Sequence, residues 1–355
     1  MARWLTFAGL ALLAAPAAVQ AQDAGALADR FERALVAGDA RALPLAEGFV
    51  YTENGAVLER WDGMWRTTTA LEGAVDYPDL DYRVQWESGD TAIRIAEFEE
   101  NMVRGVMAYR LVAKDGRIAR VDVLPVREEF GGDRGGTLTL LTPMLPVTMD
   151  GELVGHADPL FAAAASGADD AAIREGMVNY LEAMVADRPM AREQQIARFS
   201  FAADCVRQDN GRRVTGMADA PVLDPAQPAF RPYALGCREQ VTSGFYANYE
   251  LGALEMVTDP ARGLGMAFVR LDQPGTLLSF EAPGVGQVAY PGPRGAVAEA
   301  DSGEQFDGRI LTNMISPLSV NGVFVFKFDG GAIRRIDAFY RNAPYGWTAW
   351  PAAAE

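Results

Sequence analysis

The chain's main chemical resource is carboxylates set beside aromatic rings. In Phe49-Val50-Tyr51-Thr52-Glu53, an extended backbone puts Tyr51 and Glu53 on one face and Val50 and Thr52 on the other. A phenol and a carboxyl that share a face inside an apolar pocket make a proton donor and a base. Burial there raises a carboxyl pKa toward the range in which it exchanges protons near neutrality. The plainer reading is a packed tyrosine and a turn carboxylate. Asp62 stands between Trp61 and Trp65, where the rings would desolvate it, although Asp62-Gly63 is also an ordinary turn. Tyr109 and Asp122 fall in later strand-like runs, and Asp122, among apolar neighbours, is expected to face inward. Tyr51, Glu53, Asp62, Tyr109 and Asp122 are the candidate catalytic residues, with Trp61 and Trp65 as candidate ligand contacts.

The second half of the chain offers a different set. Phe324, Phe326 and Phe328 share one strand face, and Lys327 shares the other with Val323 and Val325. Such a row reads either as core or as a ligand wall, and Lys327 either binds an anion or reaches solvent. Asp337 shares a face with Phe339 and Arg341. Asp204, Arg207, Glu239 and Tyr246 gather in sequence around Cys205 and Cys237. They read as a pocket mouth or as surface ion pairs. The candidate ligand-binding residues of this half are Arg207, Tyr246, Phe326, Asp337 and Arg341. His156, the one histidine, lies outside the strand-like runs and reads as a loop residue near the junction of the halves. No metal site is expected from one histidine and two cysteines. Nucleophile elbow, P-loop, dinucleotide fingerprint and zinc signature are all missing. Cofactor-independent acid–base chemistry is what remains.

The elements that must position these residues occur twice. Leu27, Phe31 and Leu35 recur at helical spacing over 24–37. An extended run ends at Asn54-Gly55, a hairpin signal. Strand-like runs follow at Tyr82–Trp86, Thr91–Phe98, Val103–Ala113 and Ile118–Val126, with a turn at Asp115-Gly116. The pattern then restarts. Asp169 or Asp170 can cap a helix bearing Ile173, Met177, Tyr180, Leu181 and Met184. Asp209-Asn210-Gly211 echoes Glu53-Asn54-Gly55. Strand-like runs follow at Gly244–Tyr249, Gly263–Leu271 and Gly322–Phe328. Asp329-Gly330 with Ile333-Arg334-Arg335-Ile336-Asp337 echoes Asp115-Gly116 with Ile118-Ala119-Arg120-Val121-Asp122. Two matches in the same order indicate a tandem duplication. The expected division is a leader over 1–21, a first repeat over 22–130, a linker over 131–168, a second repeat over 169–348 and a tail over 349–355. A proline-rich insertion near Ala218–Tyr233 belongs to the second repeat.

The leader expectation rests on Arg3, an uncharged apolar run from Leu5 to Val19, and small residues at Val19-Gln20-Ala21. The run is shorter than the ~20 residues a spanning helix needs, so cleavage after Ala21 and a periplasmic or secreted mature protein are expected, with no membrane insertion. In an oxidising compartment Cys205 and Cys237 are expected to pair. The formal net charge of −16 repels phosphate backbones and argues against nucleic acid as a partner.

A helix followed by a long curved antiparallel sheet is an α+β layout. Each half resembles the NTF2-like (SnoaL-like) superfamily through Tyr51-Thr52-Glu53-Asn54-Gly55, Asp62-Gly63-Met64-Trp65, Cys205 through Asn210-Gly211, and Tyr345-Gly346-Trp347. More narrowly, it looks like an uncharacterised family of exported two-repeat NTF2-like proteins found in bacteria and fungi. The resemblance implies tandem cones, each a curved sheet wrapped over N-terminal helices around a pocket. It also implies a small hydrophobic ligand and a monomer or homodimer. The functions it implies are a cofactor-independent lyase or isomerase acting on a hydrophobic carbonyl or hydroxyl compound, a non-catalytic binder of such a molecule, or a structural module. Any chemistry is expected in the first repeat.

Overall fold

The computed structural model describes residues 23–59, 62–74, 82–101, 103–127, 159–165, 169–210, 212–218, 229–289 and 317–350. The leader, Trp61, His156 and most of the linker lie outside them, as does most of the proline-rich insertion.

Helix α1 (Ala24–Val36) starts where the Asp23 side chain accepts from the Ala26 amide at 2.7 Å. Strands β1 (Leu45–Glu53) and β2 (Ala56–Leu58) turn at Asn54-Gly55. A one-turn helix α2 (Met64–Thr67) leads into β3 (Thr68–Leu71), β4 (Arg83–Ser88), β5 (Thr91–Glu100), β6 (Val103–Lys114) and β7 (Arg117–Arg127). These strands form one sheet in the order β2-β1-β7-β6-β5-β3, with β4 also on β5. Only β1 and β7 pair in parallel; the other pairs are antiparallel.

After the short α3 (Pro159–Ala162), α4 (Asp170–Val185) opens the second half, capped by Asp169 accepting from the Ala172 amide at 2.8 Å. Then come α5 (Pro189–Ile196), β8 (Ser200–Asp209), β9 (Arg212–Arg213), α6 (Cys237–Thr242), β10 (Glu250–Asp259) and β11 (Leu264–Gln273). A small hairpin of β12 (Ser279–Ala282) and β13 (Gly286–Ala289) precedes β14 (Leu318–Asp329) and β15 (Ala332–Ala343). The second sheet runs β10-β11-β14-β15-β8-β9, again with one parallel pair, β8 with β15.

The two sheets share one strand order and one register. Thr52 pairs with Asp122 and Glu53 with Val123; Gln208 pairs with Asp337 and Asp209 with Ala338. The Asn54 amide donates to Val123 O at 2.9 Å and the Asn210 amide to Ala338 O at 2.7 Å. Both asparagines are left-handed, at φ 51° and 47°, a region asparagine tolerates better than most residues. Each sheet lays one face on its own helix. Leu27, Phe31 and Leu35 of α1 pack with Phe98, Met107, Tyr109 and Val121. Ile173, Met177 and Tyr180 of α4 pack with Val269, Phe324, Phe326 and Phe328.

The other faces of the two sheets meet each other. Ile93, Ile95, Val106, Leu124 and Val126 form one core with Met266, Phe268, Val323, Val325 and Phe339, into which Trp350 inserts. At about 25 cal/mol per Å² of apolar surface removed from water, burial of this face and of the helix face both stabilise each sheet. Cross-sheet hydrogen bonds reinforce the contact: Trp86 Nε1 donates to Thr258 O at 2.8 Å and Arg262 to Gln85 O at 2.7 Å.

One expectation is corrected, and one element was not expected. Gly244–Tyr249 is a succession of turns, because Gly244 sits at φ 83°, and the strand begins at Glu250. The β12–β13 hairpin is a further insertion, between β11 and β14, where the first repeat joins β5 to β6 through a tight connection at Asn101.

Candidate functional site

Tyr51 and Glu53 share the helix-facing side of β1, as alternation requires. The Tyr51 hydroxyl donates to Glu53 Oε1 at 2.6 Å, and the Met64 amide donates to the same oxygen at 2.6 Å. Glu53 is 8% exposed. Gly63 makes this approach possible. Its φ is 63°, and a Cβ there would collide with the Glu53 carboxylate. Burial raises the Glu53 carboxyl above its ordinary value. The hydrogen bonds from Tyr51 and Met64 and the charge of Arg127 oppose that rise. Arg127 stops 3.9 Å from Glu53 because it is held by Glu100, which also accepts from the Thr67 hydroxyl. Burial and the neighbouring Glu53 charge push the Tyr51 hydroxyl well up, so it stays a donor.

A second couple lies deeper in the same cone. Tyr109, fully buried, donates to Glu32 Oε1 at 2.8 Å, and Arg83 pairs with Glu32 Oε2 at 2.9 Å. Rings connect the two couples. Tyr51 is 6.1 Å from Trp65, Trp65 is 5.4 Å from Phe31, and Phe31 is 5.1 Å from Tyr109, centroid to centroid. Glu32, Glu100, Arg83 and Arg127 are absent from the sequence-derived candidates. The one available signal was Glu32 four residues from Ala28, beside the apolar stripe of α1, where a small neighbour leaves room for an inward carboxylate.

The remaining first-half candidates lie elsewhere. Asp62 is half-buried, its side chain 46% accessible, and pairs with Arg66 at 2.7 Å. The turn reading applies, and Trp61, the other ring of that expectation, lies outside the described residues. Asp122 is fully buried but faces the opposite sheet and not the cone, because register puts it on the Thr52 face. Thr52, Arg110 and Arg120 contact it at 2.8, 3.0 and 2.8 Å, and Arg110 continues to Glu255 of the other repeat at 2.6 Å.

In the second cone, the positions equivalent to Tyr51 and Glu53 are Arg207 and Asp209. They form a buried bidentate ion pair at 2.7 and 2.9 Å. Tyr180 accepts from Arg207 at 3.1 Å, Tyr340 donates to Asp209 at 3.2 Å, and the guanidinium lies over the Tyr246 ring, 4.5 Å from its centroid. Phe326 packs edge-on against Tyr180 at 5.3 Å, so the phenylalanine row is core around α4. Asp337 faces the first sheet. It is held by Arg335 at 2.5 Å and accepts from Tyr82 at 3.1 Å, and Arg341 is half-buried farther along β15. Lys327 neither reaches solvent nor meets an anion. It donates to Ala163 O and Arg262 O at 2.6 and 2.5 Å, pinning the segment after α3 to the β10–β11 turn. Asp204 is an exposed partner of Arg334 at 3.0 Å. Cys205 and Cys237 are bonded, tying β8 to α6.

A family model covers the second cone. That model, described as a domain of unknown function (DUF8021), matches residues 170–340, which include Arg207, Asp209 and Tyr246 but not Tyr51 or Glu53. A search of curated proteins finds no match. Among solved structures, the chain is similar to a phenazine biosynthesis-related protein (PhzB2) from Pseudomonas aeruginosa. The identity is 9% and the TM-score 0.24, over 48% of this chain and 82% of that one. It is also similar to a chain of the C. albicans Mtr2–Mex67 M domain complex, with 13% identity and a TM-score of 0.24, over 48% of this chain and 95% of that one. Scores this low bear on neither fold nor function. The α+β architecture stands on the strand order and register above.

Proposed function

We propose that the chain is an exported NTF2-like small-molecule protein whose working site is the first cone. There Glu53 exchanges a proton with a bound hydrophobic carbonyl or hydroxyl compound. The observation that carries this is the state of Glu53: buried, raised in pKa, hydrogen-bonded by Tyr51 and Met64, and left 3.9 Å from an arginine already held by Glu100. A carboxyl in that condition is matched to general acid–base work. In the lyase or isomerase reaction, Glu53 takes a proton from the carbon next to a carbonyl while the C–H electron pair moves toward the oxygen. The same carboxyl then returns the proton to that carbon as the carbonyl re-forms, delivers it to the far end of an adjoining C=C as that double bond moves into conjugation, or gives it to a β-hydroxyl that leaves as water. Glu32 is a weaker choice because Arg83 pairs with it directly.

The second cone supports a different role. Its equivalent acid is committed to Arg207, and its interior is filled by α4 and the phenylalanine row, which suits a structural partner for the first cone. The Cys205–Cys237 bond suits an oxidising compartment, and no helix among the described residues is long and apolar enough to cross a membrane.

The test is deuterium uptake from solvent into a panel of hydrophobic ketones. The wild type is expected to accelerate exchange at the carbon next to the carbonyl, and Glu53→Gln to abolish it. Equal exchange in the two proteins overturns the assignment of Glu53. Ligand binding without exchange favours the binder.

A further inference from the structure

Around the Glu53 site two buried polar groups have no partner. The indole nitrogen of Trp65 is buried and unbonded, in a residue only 5% exposed. The hydroxyl of Thr68, a residue 7% exposed, is likewise unbonded. A buried donor without an acceptor is destabilising, and a ligand that supplies the acceptor removes that cost. Both belong to the segment that also holds Glu53. Met64 donates its amide to Glu53, Trp65 packs on Tyr51, and Thr67 bonds Glu100. Trp65 and Thr68 are three residues apart, on the single turn of α2 and its cap, and Thr68 pairs with Glu100, the acceptor of the Thr67 hydroxyl.

The charged groups nearby restrict what acceptor can meet these donors. Arg127 is taken by Glu100, and Arg83 by Glu32 and the Glu72 carbonyl at 2.6 Å. Glu53, Glu100 and Glu32 make the surroundings acidic and unfavourable to an anion. Tyr51, the obvious holder of a carbonyl oxygen, already spends its proton on Glu53. The donor left for a ligand's oxygen is therefore the indole.

We propose that the Trp65 indole N–H, together with the Thr68 hydroxyl, binds the carbonyl oxygen of an uncharged ligand whose carbon skeleton lies along the Tyr51–Trp65–Phe31 row. This deepens the function proposed above and rests on that reading for the site's location. It names the ligand class as a neutral carbonyl compound. It also makes Trp65 the residue that distinguishes that class from a hydrocarbon of the same shape.

The probes are acetophenone and ethylbenzene, which differ only at the oxygen-bearing carbon. Their binding is followed by the indole proton–nitrogen resonances, with Trp65 identified from Trp65→Phe. Acetophenone is expected to move the Trp65 resonance and to bind about tenfold more tightly than ethylbenzene, the ratio one net hydrogen bond gives. Trp65→Phe is expected to bring the two within about twofold. Thr68→Val, nearly isosteric and less apt to disturb folding, is expected to narrow the ratio partway. Equal affinities in the wild type, or a Trp65 resonance that does not move, overturn the proposal. The second result would mean that the indole points into the Phe31 ring, which stands edge-on to it at 89°. Failure of the parent reading looks different. A ketone preference without any solvent exchange removes the proton transfer and keeps the carbonyl site, whereas exchange without a preference does the reverse.

Discussion

The two cones use the same pair of positions in opposite ways. At 51 and 53 the first repeat places a phenol and a carboxyl, joined by one hydrogen bond of 2.6 Å. At 207 and 209 the second places a guanidinium and a carboxyl, joined by two bonds and surrounded by Tyr180, Tyr246 and Tyr340. One arrangement holds a buried carboxyl by two neutral donors, the Tyr51 hydroxyl and the Met64 amide. The other fixes an ion pair as part of the core. Two sheets of the same strand order thus differ at both positions, a tyrosine and a glutamate in one and an arginine and an aspartate in the other. The sheets that carry the two sites bury their remaining faces against each other.

Breaking the ion pair should show the largest effect. Arg207→Met leaves Asp209 buried without its partner and is expected to cost about 3–5 kcal/mol in chemical denaturation. A loss under about 1 kcal/mol would mean that Tyr340 alone satisfies Asp209. Reduction of Cys205–Cys237, which closes a loop across 32 positions, is expected to cost about 3–4 kcal/mol in the chain-entropy model. It should leave any Glu53-dependent exchange in place, because the bond lies in the other cone.

The asparagine turns sharpen the comparison further. Asn210 makes two bonds to Tyr340, accepting from its amide at 2.8 Å and donating to its carbonyl at 3.0 Å. The equivalent of Tyr340 in the first repeat is Pro125, which has no N–H, and the Asn54 side-chain oxygen is buried without a partner. Glycine tolerates the left-handed φ at both sites. Asn210→Gly is therefore expected to cost about 1–3 kcal/mol more than Asn54→Gly by thermal unfolding. Instead, the Asn54 turn is tied down from the second repeat, where Trp347 Nε1 donates to Asn54 O at 2.6 Å. The smallest effect is expected at Asp62, whose solvent-accessible pair with Arg66 should contribute no more than about 0.5 kcal/mol, so Asp62→Ala should leave stability and exchange nearly unchanged.

Much of this fold was legible because it repeats. The doubled turns and the doubled Ile-x-Arg-x-Asp strings showed that the same succession of elements occurs twice, and alternation put Tyr51 and Glu53 on one face; the order of strands in the sheets came from the structure. Alternation within one strand gives neither the register between strands nor the burial of both faces of the sheet, so Asp122 and Tyr51 were grouped although they sit on opposite faces. Burial of both faces depends on the second sheet covering the first, so Asp122 appeared to be an inward acid and is an inter-sheet ion pair. Glu32, Glu100 and Arg127 were hidden for a related reason. They come from three distant segments and look like surface charges until the cone closes around them. Lys327 was ambiguous because a buried amine satisfied by two carbonyls leaves no mark on local sequence.

The account rests on Glu53, and its titration in the folded protein tests it most directly. The carbon signal of the Glu53 carboxyl, identified by its loss in Glu53→Gln, is followed against pH. Burial raises the folded pKa above the unfolded value. The linked stability is therefore full at acidic pH, below the unfolded value, and is lost as pH rises through the folded value. Glu53→Gln should flatten that decline. The account predicts a Glu53 midpoint displaced upward from those of the exposed glutamates. A midpoint at or below theirs would make Glu53 an ordinary ion-pairing carboxylate and would contradict the account.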